Sequence, residues 1–266
     1  MIIMGNSMEL TILGSGIGLP QVSRNAPGYL VKVNKKLIML DAGEGTKRQI
    51  VRAGYNFFDL HYILITHTHV DHVADLPAIL WPFKWGLTKK LTLNIFGPPK
   101  FKKFYEKIST TFIPTIKSAR KLEVIVKEVK KSRFKINNIS VETRLMSGRL
   151  QTNTFSPYEV GYRIAYKSKS LVYCGDNIVQ DQPDIIALAK DCDLLILEAT
   201  QPKPNYDHLD PETAGKIAQR ANVKKLVLTH FSPEIGALGK REIKELTAKC
   251  YKGPIIIAKD LMKIKI

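Results

Sequence analysis

The chain has 266 residues, 44% hydrophobic, 24% charged and 8% aromatic, enough to bury a sizeable core as one large domain or two small ones. No apolar run approaches the roughly 18–20 residues of a membrane span, and three scattered cysteines, Cys174, Cys192 and Cys250, argue against a disulfide framework or a cysteine-rich metal knuckle. Lys and Arg outnumber Asp and Glu by 41 to 24, a formal charge of +17, which suits a polyanionic partner such as RNA and equally suits a lysine-rich solvated surface.

Residues 1–7 read as a poorly ordered tail, with Met8 an alternative start. They lack the basic and apolar regions of a secretory leader, so a cytoplasmic location is expected. Strands are predicted over Glu9–Leu13, Tyr29–Val33 and Leu37–Leu40, with a Gly-rich loop (Gly14, Gly16, Gly18) after the first. A helix over Thr46–Ala53 stops at Gly54. An apolar strand, His61–Ile65, runs into a polar loop, Thr66–Asp71, and a helix from about His72 to Phe83. The stretch from Leu91 to Thr143 alternates strands with a helix over Lys100–Thr111. It also carries a basic segment: Lys117, Arg120, Lys121, Lys127, Lys130, Lys131, Arg133 and Lys135. Further strands are predicted at Gly161–Tyr166, Leu171–Cys174, Asp193–Leu197, Leu226–Leu228 and Ile255–Ile257. A helix over Pro211–Ala221 has Asp210 as its N-cap. No linker or repeat divides the chain, so residues 1–266 read as one α/β domain; two sheets between helical layers fit the element order, although periodicity alone does not select that from other α/β layouts.

The densest chemistry lies in Thr66-His67-Thr68-His69-Val70-Asp71-His72, directly after an apolar strand. Three imidazoles and a carboxylate on a strand-end loop can converge, where a long regular element would scatter them. Such donors suit Zn²⁺, Mn²⁺ or Fe, as one ion or a pair.

This His-x-His-x-Asp-His pattern resembles the signature of the metallo-β-lactamase superfamily, and other landmarks follow in order. Asp41 in Leu40-Asp41-Ala42-Gly43, Asp176 in Cys174-Gly175-Asp176-Asn177 and His230 in Leu228-Thr229-His230-Phe231-Ser232 are similar to the superfamily's early Asp, bridging Asp and last His. The resemblance implies a four-layer αββα sandwich of two mixed β-sheets. It further implies that His67, His69 and Asp176 hold a first ion and that Asp71, His72, His230 and Asp176 hold a second. Asp41 would support the metal-binding loop, and zinc is the expected metal.

Within the superfamily the chain looks most like ribonuclease Z. Leu13-Gly14-Ser15-Gly16 followed by Pro20 and Arg24-Asn25 resembles that family's opening, and implies substrate contacts from Arg24 and Asn25. Glu198-Ala199-Thr200 followed by His208 resembles the pair that supplies the leaving-group proton. The implied activity is a zinc-dependent phosphodiesterase or endoribonuclease, with Asp71, His208 and Glu198 catalytic. A metal-bound hydroxide would cleave RNA or a small phosphodiester, and the enzyme could be a homodimer. The runner-up readings are another hydrolase of the same fold (arylsulfatase, thioesterase or lactonase) and a catalytically impaired RNA-binding protein.

Two departures stand out. The family takes another first-site His from the loop before a strand like Gly161-Tyr162-Arg163-Ile164, yet no His occurs between His72 and His208. The usual slot falls near Phe155 or Ser147, so the first ion is expected to be weakly held, completed by water or bound only with substrate. Cys174 could stand in, although a small core residue is the plainer role for it. The family's tRNA-grasping arm also has no room, because Gly161 and Asp176 are only fifteen positions apart. A ribonuclease Z-like phosphodiesterase is therefore favoured over a tRNA 3′-processing enzyme.

Overall fold

A computed structural model describes residues 8–114, 119–147, 158–203 and 207–266. Strand β3 (Lys36–Leu40) shows how the apolar runs become sheet. Leu37 and Met39 face one hydrophobic cluster, Ile38 and Leu40 the other, as a two-residue side-chain period requires. Both faces are covered, which is why such runs read as continuously apolar.

The first sheet has the order β14 (Lys263–Lys265), β1 (Met8–Gly14), β2 (Gly28–Val33), β3, β4 (Leu60–Leu64), β5 (Leu91–Gly97) and β6 (Leu122–Glu128). The second has β13 (Ile255–Ile257), β12 (Leu226–Thr229), β11 (Leu194–Glu198), β10 (Lys169–Tyr173), β9 (Val160–Tyr166), β8 (Ile139–Leu145) and β7 (Ser132–Ile136). Each sheet is mixed: β1, β2 and β3 run antiparallel and β3 to β6 parallel. Likewise β7 to β10 run antiparallel and β10 to β13 parallel.

Parallel neighbours need long crossovers, and these supply the outer helices. Helices α1 (Thr46–Arg52), α3 (Leu76–Gly86, after the single turn α2, Val70–Val73) and α4 (Phe101–Phe112) pack Ile50, Phe83 and Phe101 on the first sheet's outer face. Helices α5 (Gln182–Ala189), α6 (Pro211–Arg220) and α8 (Gly239–Ala248, after the short α7, Pro233–Ala237) pack Leu188, Ile217 and Ile243 on the second. This is the expected αββα sandwich. Among the described residues no helix is long and apolar enough to cross a membrane.

Some boundaries differ from the sequence reading. The helix expected from His72 to Phe83 is two, α2 and then α3, which runs on to Gly86. Pro77 has no N–H to continue the first helix and instead sits in the first turn of the second. Asp75 between them accepts from the Lys47 backbone N–H at 2.7 Å. Strand β14 carries no sequence signal, because Lys-Ile-Lys is too short to show a period. The Asp210 cap is present, accepting from the N–H groups of Glu212 and Thr213. Strands β9 and β10 are joined by a tight turn through Lys167, with φ of 53°, so no arm projects there. The expected tail, residues 1–7, lies outside the described residues.

The basic segment falls largely on β6, β7 and the turn between them, which are the edge strands of the two sheets. Lys121, Lys127, Lys130, Lys131, Arg133 and Lys135 are exposed there, and Lys117 lies outside the described residues. The charges therefore share one edge of the sandwich. Lysine on an exposed edge also opposes strand addition from another chain.

Candidate metal centre

The carboxyl ends of five strands meet at one rim, where open α/β sheets characteristically place ligands. Asp41 follows β3, residues 66–72 follow β4, Asp176 follows β10, Glu198 ends β11 and His230 follows β12. The chain turns sharply at these ends: φ is 56° at Asp41, 70° at Gly175 and 59° at His230. Left-handed backbone at a non-glycine residue costs about 1–3 kcal/mol and persists where surrounding bonds hold it. Here the Asp41 N–H is held by Leu64 O at 2.9 Å and the Phe231 N–H by Ser15 O at 3.0 Å.

Two buried carboxylates set the imidazoles. Asp41, fully buried, accepts from the Thr66 N–H (2.7 Å), Thr66 Oγ1 (2.8 Å), Tyr173 OH (2.7 Å) and His72 Nδ1 (2.7 Å). The His72 proton is thus on Nδ1, leaving Nε2 as a lone pair. Because the Thr66 hydroxyl donates to Asp41, its oxygen can only accept from His67 Nδ1, 3.1 Å away. Glu198, also buried, accepts from the Asn177 N–H, from Thr200 Oγ1 and from His208 Nδ1 at 3.0 Å. The Thr200 oxygen in turn accepts from His230 Nδ1 at 2.8 Å. His67, His72 and His230 therefore turn Nε2 toward Asp176, the arrangement that outer partners give metal-binding histidines, while His208 is held through Nδ1 by Glu198.

The ligand atoms fall into three groups, each with its members within 4.8 Å of one another: Asp71, His72, Asp176 and His230; His67, His69 and Asp176; and Glu198, His208 and His230. The first two are the sets the resemblance implied. Asp176 Oδ1 lies 3.2 Å from His72 Nε2 and 3.2 Å from His230 Nε2, yet these three buried atoms make no hydrogen bond. His67 Nε2 and His69 Nδ1 are 2.9 Å apart, with Asp176 Oδ2 3.7 Å from the former. Orphaned buried donors and acceptors converging on one point are costly unless something pairs them. A divalent cation fits this donor set. Burial raises the Asp176 carboxyl, but His230 and His72 outweigh it and hold it well below the usual carboxylate range. Burial likewise works against Asp71, whose carboxyl is lowered by His230 and His72.

The remaining expected residues divide. His208 stands at the rim with Glu198 behind it and its side chain 22% exposed, open to a substrate. Arg24 is braced through one nitrogen: Nη1 donates to Ser15 Oγ (2.6 Å) and Ala258 O (2.9 Å), and the guanidinium lies over Phe231. A short Gly-rich loop needs such a brace. The Asn25 N–H is tied to Asp260 at 2.8 Å. Both residues still line a polar cavity of about 360 Å³ with Gly18, Arg48 and Arg52. Ser147 is bound to Asp184, and Phe155 lies outside the described residues. Cys174 is a buried core residue whose thiol is pushed far up by burial and by Glu159, and it is in none of the three groups.

Sequence reasoning missed Thr66, Thr200, Tyr173 and Glu159. The two threonines flank recognised motifs, so a search for ring-orienting hydroxyls could have found them. Tyr173 and Glu159 meet the site only through the sheets' packing. Asp41→Ala should cost about 3–5 kcal/mol, because it orphans four buried donors, on Thr66, His72 and Tyr173, at once. Its denaturation midpoint checks this; a loss under about 1 kcal/mol would contradict the anchoring role.

Residues 37–231 match the beta-lactamase superfamily domain. The chain belongs to that superfamily. Within it, ribonuclease Z of Thermobifida fusca is 27% identical, with 98% of this chain and 95% of that protein covered. Ribonuclease Z of Picrophilus torridus is 28% identical over 86% and 87%. Among solved structures, the metallo-β-lactamase fold protein YhfI of Bacillus subtilis superposes with a TM-score of 0.80 at 21% identity, covering 98% and 100%. The short form of human tRNase Z superposes at 0.74 and 22%, covering 96% and 98%. The metallo-β-lactamase fold is therefore shared across the whole chain, and these curated relatives belong to the ribonuclease Z branch.

Proposed function

We propose that this protein is a metal-dependent phosphodiester hydrolase of ribonuclease Z type, acting on RNA or a smaller phosphodiester. The observation that carries the reading is the convergence of His72, His230 and Asp176 on one point, with the His208–Glu198 pair in hydrogen-bond contact beside it. The pairing of the chain with ribonuclease Z relatives supports it. His67, His69 and Asp176 hold one divalent ion and Asp71, His72, Asp176 and His230 the other, with zinc favoured by the imidazole-rich donors. Such ions supply Lewis acidity, lowering the pKa of an attacking water and offsetting phosphoryl charge.

The protein's own residues do the rest. Asp71, exposed enough to meet solvent, orients the attacking water. Glu198 fixes the His208 ring through Nδ1, leaving Nε2 to carry a proton to the departing oxygen. The cavity beside Gly18, with Arg48 and Arg52 at its wall, holds a neighbouring phosphate. The tight turn between β9 and β10 leaves substrate capture to other surfaces, and the basic β6–β7 edge suits RNA. The protein acts in the cytoplasm.

Three assays on purified protein, with and without added Zn²⁺ or Mn²⁺, test the reading. They use a generic phosphodiester with a 3′-extended tRNA, a sulfate ester, and a thioester. Metal-dependent phosphodiester turnover is expected; turnover of only the sulfate ester or thioester would replace the reading. Lys130→Glu with Lys131→Glu should raise KM for RNA and flatten its salt dependence, by about one unit of slope for each phosphate no longer neutralised. Turnover of a small phosphodiester should stay unchanged. An unaltered salt slope would remove the edge from RNA binding.

A further inference from the structure

The first-site group has two histidines and Asp176, where the superfamily's pattern adds a third histidine. What the structure puts behind this group is Glu159, fully buried just before β9. Its backbone cannot drift. The Glu159 carbonyl accepts from the Met146 N–H at 2.9 Å, and the next N–H, of Val160, donates to Thr66 O at 3.0 Å. This joins the Glu159 segment to the loop that carries His67.

The side chain touches two of the three first-site residues. Its Oε1 accepts from the Asp176 N–H at 2.5 Å and lies 3.5 Å from His67 Nδ1. Both contacts are on the side away from the ligand atoms. Glu159 is thus placed to act on His67 and Asp176 rather than on an ion. Space for the carboxylate exists because residue 175 is glycine: a Cβ there would overlap both Glu159 Oε1 and Thr66. The positive φ of Gly175 aims the Asp176 N–H at that oxygen.

We propose that Glu159 is the positioning residue of the first metal site, compensating from behind for the absent third histidine. When His67 Nε2 donates to a cation, positive charge is drawn onto the ring. A carboxylate 3.5 Å from Nδ1 stabilises that charge and makes the ring a better ligand, as carboxylate–histidine–metal arrangements do. Its bond to the Asp176 N–H holds the shared carboxylate in register with both histidines. The proposal rests on the reading of this cluster as a divalent metal centre, not on the substrate.

The test uses metal-stripped full-length protein titrated with Co²⁺, followed by calorimetry and by the visible d–d bands. His69→Ala, which alters only the first-site group, identifies which binding phase is which. Glu159→Gln keeps an acceptor for the Asp176 N–H but loses the charge behind His67. It is expected to weaken the first-site phase by about 10–100-fold and leave the second unchanged, with a shifted imidazole ¹⁵N resonance for His67. Glu159→Asp should recover part of the affinity. Wild-type affinity at both sites in Glu159→Gln would overturn the proposal. So would equal weakening of both phases with a lowered Tm, which marks a structural role only. A wild type that binds no Co²⁺ would sink the metal-centre reading itself, whereas metal binding without phosphodiester turnover would leave this inference standing and remove only the substrate assignment.

Discussion

Asp176→Asn is expected to strip metal from both groups and lower turnover by on the order of 10⁴, the scale of losing a principal catalytic group. The carboxylate stands between His72 and His230 at 3.2 Å and near His67 at 3.7 Å, so one charge would serve both proposed ion positions. Asn keeps the side chain's shape and the backbone bond to Glu159, and the fold should survive, as circular dichroism would show. Without the carboxylate, the four imidazoles of the two groups are left with only Asp71 to balance a dication. Elemental analysis after dialysis is the decisive measurement. Two ions retained per chain would overturn the proposal that both sites share Asp176.

His208→Ala should separate chemistry from metal binding. The ring touches Glu198 at 3.0 Å and packs 5.4 Å from the His230 ring, centroid to centroid. Glu198 retains its bonds to Thr200 and the Asn177 N–H after the ring is removed, so His230 stays oriented. Turnover should fall by about 10²–10⁴, the usual contribution of a positioned proton donor, while metal content stays at the wild-type value. A substrate with an acidic leaving group needs little protonation and should lose far less. An equal loss for both leaving groups would assign His208 to binding instead. Glu198→Gln should be worse for metal, because it disturbs His230 through Thr200 as well as His208.

That asymmetry could not be read from the sequence. The resemblance implied a Glu198–His208 pair that handles a proton, whereas the fold shows one carboxylate governing two rings, His208 directly and His230 through the Thr200 hydroxyl. The same holds for Asp41, whose expected support of the loop proves to be four hydrogen bonds from three elements. Arg24 was legible as part of a Gly-rich opening. Its direction was not, since that depends on Ser15, Ala258 and Phe231, the latter two more than 200 positions away.

By itself the sequence determined the residue types of the site and the strand-end loop that gathers His67, His69, Asp71 and His72. It also determined where most of the apolar strands fall, because local spacing and side-chain chemistry are written in linear order. Only the tertiary structure decided which way each ring points, which hydroxyls hold its tautomer, and that Glu159 sits behind His67. Those outcomes depend on five strands from distant parts of the chain ending at one rim, and on separations of a few ångströms that no linear spacing encodes.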